Sequence, residues 1–169
     1  MGTTSEAFTA LDGGCTCGAV RYRVTRAPMF VHCCHCTWCQ RETGASFALN
    51  ALVEAEAVER LRGMTETIDT PTASGRGQQI VRCAACRVAV WSNYSAAGGA
   101  VRFVRVGTLD EPDRAPPDIH IFTSSKQRWI RLAGDVPVVA AYYRRSEHWP
   151  QESLERYERA LGRPSGASR

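Results

Sequence analysis

The sequence predicts a mainly β fold of antiparallel strands closed by one C-terminal helix. Apolar residues recur with a period of two through residues 20–139, strong turn formers separate these runs, and helical periodicity with end signals occurs only after Pro150. Val20, Tyr22 and Val24 alternate with Arg21 and Arg23, the pattern of a half-buried strand. Residues 47–53 (FALNALV) form a second, more apolar strand, and residues 54–61 suit a single helical turn. A breaker-rich loop at 70–77 (TPTASGRG) precedes strands at 79–82, 88–93 and 101–106. A second such loop, at 110–117 (DEPDRAPP), precedes strands at 120–123 and 136–139. In the helix, Pro150 stands near the start, Leu154, Tyr157 and Leu161 share a face, and Gly162 ends it.

Residues 1–9 and 162–169 are small and polar, as expected of disordered termini. Between them runs no internal repeat and no linker, so residues 10–161 are expected to form a single domain. The formal charge of the 169-residue chain is +4, with the arginines scattered. No basic run suggests a nucleic-acid partner. No apolar run approaches the ~20 residues that span a bilayer, so no membrane partner is expected. The opening residues lack the basic start and apolar core of a secretion signal. A reducing, cytoplasmic setting is therefore expected, where clustered thiols favour metal or redox use over disulfides.

Eight cysteines lie in three tight clusters: Cys15 and Cys17; Cys33, Cys34, Cys36 and Cys39; and Cys83 and Cys86. Two thiolates one or two residues apart can grip one metal from a single turn, and a distant second pair can complete a tetrahedral site. Cys15, Cys17, Cys83 and Cys86 suit such a closed zinc site. The middle cluster offers three ligands and an open position. On an extended backbone Cys34 and Cys36 point the same way and Cys39 can curl back, while Cys33 points to the opposite face. Cys33, Cys36 and Cys39 form a competing register that spacing alone does not exclude. His35 sits between ligands and is aimed away from them, with hydrogen bonding elsewhere as its expected role; His32 is read the same way. Trp38 is expected to pack beside the metal.

The run GCTCGAVRY from Gly14 to Tyr22, followed by CHCTWCQRETGASF from Cys34 to Phe47, resembles the glutathione-dependent formaldehyde-activating enzyme family, to which centromere protein V is also related. The similarity continues through Cys83–Cys86, Val106–Asp110, His120–Phe122, Ser125, Lys126 and Trp129, over roughly residues 13–140. The resemblance implies coiled antiparallel sheets of β-tent type. It implies one structural zinc on Cys15, Cys17, Cys83 and Cys86, and a second on Cys34, Cys36 and Cys39, leaving Cys33 as an extra thiol. In the family a glycine usually follows the CxxC pair; here that position is Arg87.

Zinc held by three thiolates can keep an incoming thiol deprotonated, and the thiolate is the nucleophile. The expected reaction joins glutathione to formaldehyde at a carbon–sulfur bond, giving S-hydroxymethylglutathione; Cys34, Cys36 and Cys39 would be the catalytic set, making the protein a carbon–sulfur lyase. Arg41 can meet a glutathione carboxylate. A non-catalytic zinc scaffold or interaction module is the alternative. Methionine sulfoxide reduction needs a reactive cysteine beyond these pairs, and none follows Cys86.

Overall fold

The computed structural model describes residues 8–132 and 134–162; residues 1–7 and 163–169, most of the two expected tails, lie outside the described residues. Strands β1 (Leu11–Gly14) and β2 (Arg21–Val24) form an antiparallel hairpin with Leu11 opposite Val24. Tyr22 and Val24 face inward and Arg23 outward, as the alternation requires. β5 (Val58–Arg62) adds to β2 and completes a three-stranded sheet in the order β1-β2-β5.

The second sheet has seven strands. They are β3 (Phe30–Cys34), β4 (Ala48–Glu54), β6 (Thr65–Thr70), β7 (Gln78–Cys83), β8 (Ala89–Tyr94), β9 (Val101–Arg105) and β10 (Ile119–Ile121). Their order is β10-β3-β4-β9-β8-β7-β6. β3 and β4 are buried along nearly their whole length, which accounts for their continuous apolar composition. Every pairing is antiparallel except β10 with β3, a parallel edge pair that places His120 opposite Cys33.

One core lies among Leu11, Val20, Tyr22, Val24, Val53, Val90, Trp91 and Val104, drawn from both sheets. Tyr22 meets Trp91 edge-on at 5.7 Å, and its hydroxyl bonds Thr108 at 2.7 Å. Burying each large side chain contributes about 1.5–3 kcal/mol. The second core gathers Met29, Phe30, Leu52, Val101, Ile119, Trp149 and Tyr157. Among the described residues three α-helices accompany the sheets: α1 (Thr37–Thr43), α2 (Arg145–His148) and α3 (Gln151–Ala160). α3 lays Tyr157 into the second core, and its Arg156 forks onto Glu54 of β4 at 2.8 and 2.7 Å.

The structure departs from the sequence expectations in several places; β1, β3, β6 and α2 lie where no element is expected. Residues 136–139 make no strand; Val138 forms one isolated bridge to His120, because Pro137 has no N–H to offer a ladder. Residues 54–61 hold one 3-10 turn at Ala55–Ala57 and then the start of β5, whose Glu59, Arg60, Leu61 and Arg62 are exposed. α1 emerges where no helix is expected. The edge pair β10–β3 is parallel in an otherwise antiparallel fold. At the N-terminus Thr9 is exposed, and its carbonyl accepts from Arg114 Nη2 at 2.7 Å.

Candidate metal centres

Four thiols meet between the two sheets. Cys15 and Cys17 occupy the β1–β2 turn; Cys83 ends β7 and Cys86 sits in the β7–β8 turn. Their sulfurs all lie within 4.8 Å of one another. Cys15 and Cys17 approach to 3.4 Å, and Cys17 reaches Cys83 at 3.8 Å. A tetrahedral zinc with S–metal bonds of about 2.3 Å needs sulfurs about 3.8 Å apart, so the donor set fits that ion. No disulfide joins any of the eight cysteines.

The two turns share one construction. After Cys17 the chain turns through Gly18 at φ +73°, and after Cys86 through Arg87 at φ +65°. Gly18 N–H donates to the Cys15 carbonyl at 3.0 Å, and Arg87 N–H to the Cys83 carbonyl at 3.0 Å. This curl aims backbone N–H groups at sulfur: Val20 N–H donates to Cys15 Sγ at 3.2 Å. Backbone N–H groups of Val88 and Cys17 lower the Cys86 thiol to about 6. Arg87 therefore holds a left-handed backbone that glycine adopts freely. Its guanidinium pairs with Glu66 across the turn.

The second cluster is local. Cys34 ends β3, Cys36 caps α1, and Cys39 lies on its buried side; the three sulfurs fall within 4.8 Å of one another. Cys36 Sγ accepts the Cys39 N–H at 3.3 Å, taking the N-cap role usually filled by serine or aspartate. Gly44, at φ +67°, ends the helix and returns its N–H to the Gln40 carbonyl. Hydrogen bonds from the Cys34 and Cys39 thiols, then from the Cys39 and Trp38 N–H groups, outweigh burial and hold Cys36 far below the ordinary thiol range. Cys34 is shifted upward by donating to Cys36 and Cys39, and by burial. Cys36 is thus the first of the three to ionise, the form that binds a metal. Among the described residues no fourth Cys, His, Asp or Glu joins these three.

Glu42 of α1 anchors the cluster from below. Its carboxylate pairs with Arg82 of β7 and with Arg105 of β9, the latter at 2.8 Å, and Arg105 also donates to Asn50 at 2.6 Å. A cavity of about 670 Å³ opens beside this ion network, lined by Thr43, Phe47, Arg82, Val106 and Pro116 among others; none of the three cysteines lines it. Trp38 is 42 % exposed, on the outside of α1 rather than packed within the cluster.

Cys33 and the two histidines fall elsewhere. Trp149 Nε1 donates to the Tyr143 hydroxyl at 2.7 Å, and that hydroxyl lies 2.6 Å from His32 Nε2. Burial, then the nearby Arg145, push His32 down to about 3. His35 Nε2 lies 3.0 Å from His120 Nδ1 and 3.5 Å from Cys33 Sγ. The histidine at position 120 gave no site signal in the sequence. It becomes visible only through the parallel register that sets it opposite Cys33.

A two-sheet β protein with free thiols gathered at metal-ligand spacing defines the class. Within it, the chain matches the glutathione-dependent formaldehyde-activating enzyme family over residues 10–125, a span holding all eight cysteines, and it belongs to that family. A Halomonas elongata protein whose name proposes the same activity is 26% identical over 164 residues, 92% of this chain and 99% of that one. A crystal structure of a Rhodobacter sphaeroides protein aligns with 63% of this chain and 96% of its own at 17% identity, with a TM-score of 0.44. Among the described residues no helix is long and apolar enough to cross a membrane.

Proposed function

We propose that the protein joins a glutathione-type thiol to formaldehyde as a carbon–sulfur lyase, with Cys34, Cys36 and Cys39 as its catalytic set. The observation that carries this reading is the convergence of those three sulfurs with no fourth protein ligand among the described residues. Family membership supports the same substrates. In this reading Cys15, Cys17, Cys83 and Cys86 hold a structural zinc, and residues 10–161 fold as one unit in the cytoplasm.

Zinc bound at the three-thiol cluster would supply the positive charge that keeps a substrate thiol deprotonated at neutral pH. The residues do the rest. Cys36, whose thiol its neighbours hold below the ordinary thiol range, and those two neighbours fix the place of the reacting sulfur. Leu52 and Phe103 belong to the apolar cluster in which Cys34 and Cys39 sit, and they limit water there. Arg41 stands exposed on α1, able to meet a peptide carboxylate with a forked pair. In the addition a sulfur–carbon bond forms, the carbonyl π bond opens, and the thiol proton ends on the new hydroxyl.

The test mixes metal-loaded protein, glutathione and formaldehyde and follows S-hydroxymethylglutathione by NMR. Adduct formation above the spontaneous rate, lost in Cys36→Ser, is the expected result. One observation favours the non-catalytic scaffold as second reading: Cys34 and Cys39 are only 6 and 8 % exposed, and the neighbouring cavity does not reach them. A spontaneous rate together with no glutathione binding by calorimetry would establish it instead.

A further inference from the structure

The meeting of Cys33, His35 and His120 is a third group of ligand-type side chains, separate from both cysteine clusters. Its three donor atoms lie within 4.8 Å of one another. The elements that carry them are fixed. Cys33 and His120 are register partners on the parallel pair β3–β10. The His35 backbone is held on both sides: its N–H donates to the Ile121 carbonyl at 3.0 Å, and its carbonyl accepts from Gln40 Nε2 at 2.7 Å and Ser125 Oγ at 3.1 Å. Its ring rests on Phe47, with centroids 5.5 Å apart.

Among these three atoms, hydrogen bonding leaves either one donor without an acceptor or two lone pairs facing each other. If His35 Nε2 carries the proton and donates to His120 Nδ1, its lone pair is gone and the Cys33 thiol has no acceptor there. If His120 Nδ1 carries it, that N–H and the thiol compete for a single lone pair. The other ring nitrogen, His35 Nδ1, is buried without a protein partner, so the ring is positioned by Phe47 and from its Nε2 side. One cation resolves the conflict among these three atoms, because a thiolate and two imidazole lone pairs then converge on it. The distances suit this: a tetrahedral zinc puts sulfur and nitrogen ligands about 3.6 Å apart and two nitrogens about 3.3 Å apart. The observed separations are 3.5 Å and 3.0 Å.

We propose that Cys33, His35 and His120 bind a borderline divalent cation, zinc foremost, through one sulfur and two nitrogens. The ion clasps the parallel edge strand β10 to β3. His120 is half-buried, whereas Cys33 and His35 are buried, so the fourth position opens on the His120 side. This site is independent of the proposed reaction, since it uses none of the residues assigned to it.

The experiment loads the full chain with zinc and reads metal content by elemental mass spectrometry. Parallel samples are Cys33→Ser, His120→Ala and, as a control for the neighbouring cluster, Cys36→Ser. The unaltered chain is expected to hold about one equivalent more than Cys33→Ser or His120→Ala. Metal-edge X-ray absorption of the unaltered chain should show nitrogen as well as sulfur around zinc, with the nitrogen share lost in His120→Ala and kept in Cys36→Ser. Equal metal content in the unaltered chain and both site variants, or a first shell of sulfur alone, would overturn the proposal. Should Cys33→Ser fail to fold, the absorption spectrum of the unaltered chain decides by itself. Neither readout involves glutathione, so failure here leaves the proposed reaction standing, and the reverse holds too.

Discussion

The cluster of Cys15, Cys17, Cys83 and Cys86 draws its sulfurs from two hairpin turns on different sheets, 66 residues apart between Cys17 and Cys83. The cluster of Cys34, Cys36 and Cys39 comes from six consecutive residues at one strand–helix junction. In the first, the two turns are far apart in sequence and belong to different sheets, so an ion there would join the sheets alongside the core they share. In the second, the fold already positions the ligands: Cys36 caps α1, Glu42 ties the helix to β7 and β9, and Gly44 ends it. The same chemical group would thus serve as a fastening in one place and be itself fastened in the other. Chain separation and ligand number predict which is which.

The sharpest way to break this comparison is Cys83→Ser. It should lose the metal of the cross-sheet cluster and with it cooperative folding. A structural zinc contributes about 10 kcal/mol or more, comparable to the ~5–15 kcal/mol stability of a whole domain. Retention of an unaltered thermal transition, followed by circular dichroism, would contradict the fastening role.

Glu42→Gln tests whether the local cluster is held by the fold. It leaves the buried Arg105 without its carboxylate, and truncating one partner of a buried pair costs about 3 kcal/mol. The urea midpoint should fall accordingly, while the cross-sheet cluster keeps its metal. An unchanged midpoint would mean that this ion network does not support α1.

Glu54 provides a comparison remote from both clusters. Burial raises its pKa, but the fork from Arg156 and the charge of Arg26 more than offset this, so the net shift is downward. A carboxyl whose folded pKa is depressed contributes stability above its unfolded value, about 4.3, and that contribution is lost as pH falls through the folded value. Stability measured by urea from pH 6 to pH 3 should therefore drop on acidification, and Glu54→Gln should flatten that slope without changing metal content. The variant should cost about 2–3 kcal/mol at neutral pH. A parallel slope in both proteins would rule this pair out as its source.

Cys36 separates capping from metal binding. Cys36→Ser keeps an N-cap oxygen, whereas Cys36→Ala removes the cap and should cost about 1 kcal/mol more. Both should lose the metal of the local cluster. The smallest effect is a gain: Arg87→Gly relieves the left-handed backbone and should raise stability by about 0.5–1 kcal/mol. The lost ion pair to Glu66 is exposed and contributes little. A lower melting temperature in Arg87→Gly would show that the Glu66 pair outweighs the backbone strain.

Much of this was legible in the residues. Alternation at Val20, Tyr22 and Val24 gave β2, and breakers at residues 70–77 and 110–117 marked real turns. α3 follows Pro150 as its pattern requires. The convergence of Cys15 and Cys17 with Cys83 and Cys86 followed from spacing, because two short grips can share one ion. What stayed hidden depended on tertiary context. α1 has seven residues and a sulfur for a cap, so it lacks the periodicity and the cap chemistry that reveal a helix. β6 is largely exposed and polar, with Thr, Glu and Asp in place of an apolar stripe. The parallel pairing of β10 with β3 depends on a long crossover that no local signal encodes, and His120 meets Cys33 only through it.

Chelation of the metal-loaded protein, with metal release and far-ultraviolet circular dichroism recorded together, tests the contrast between the two clusters most directly. Metal is expected to leave the local cluster first with the β signal intact, in a step missing from Cys36→Ser. The cross-sheet metal is expected to leave last, together with the loss of the β signal. Collapse of the β signal as the Cys36-dependent metal departs, or its survival after every ion has been removed, would contradict the account.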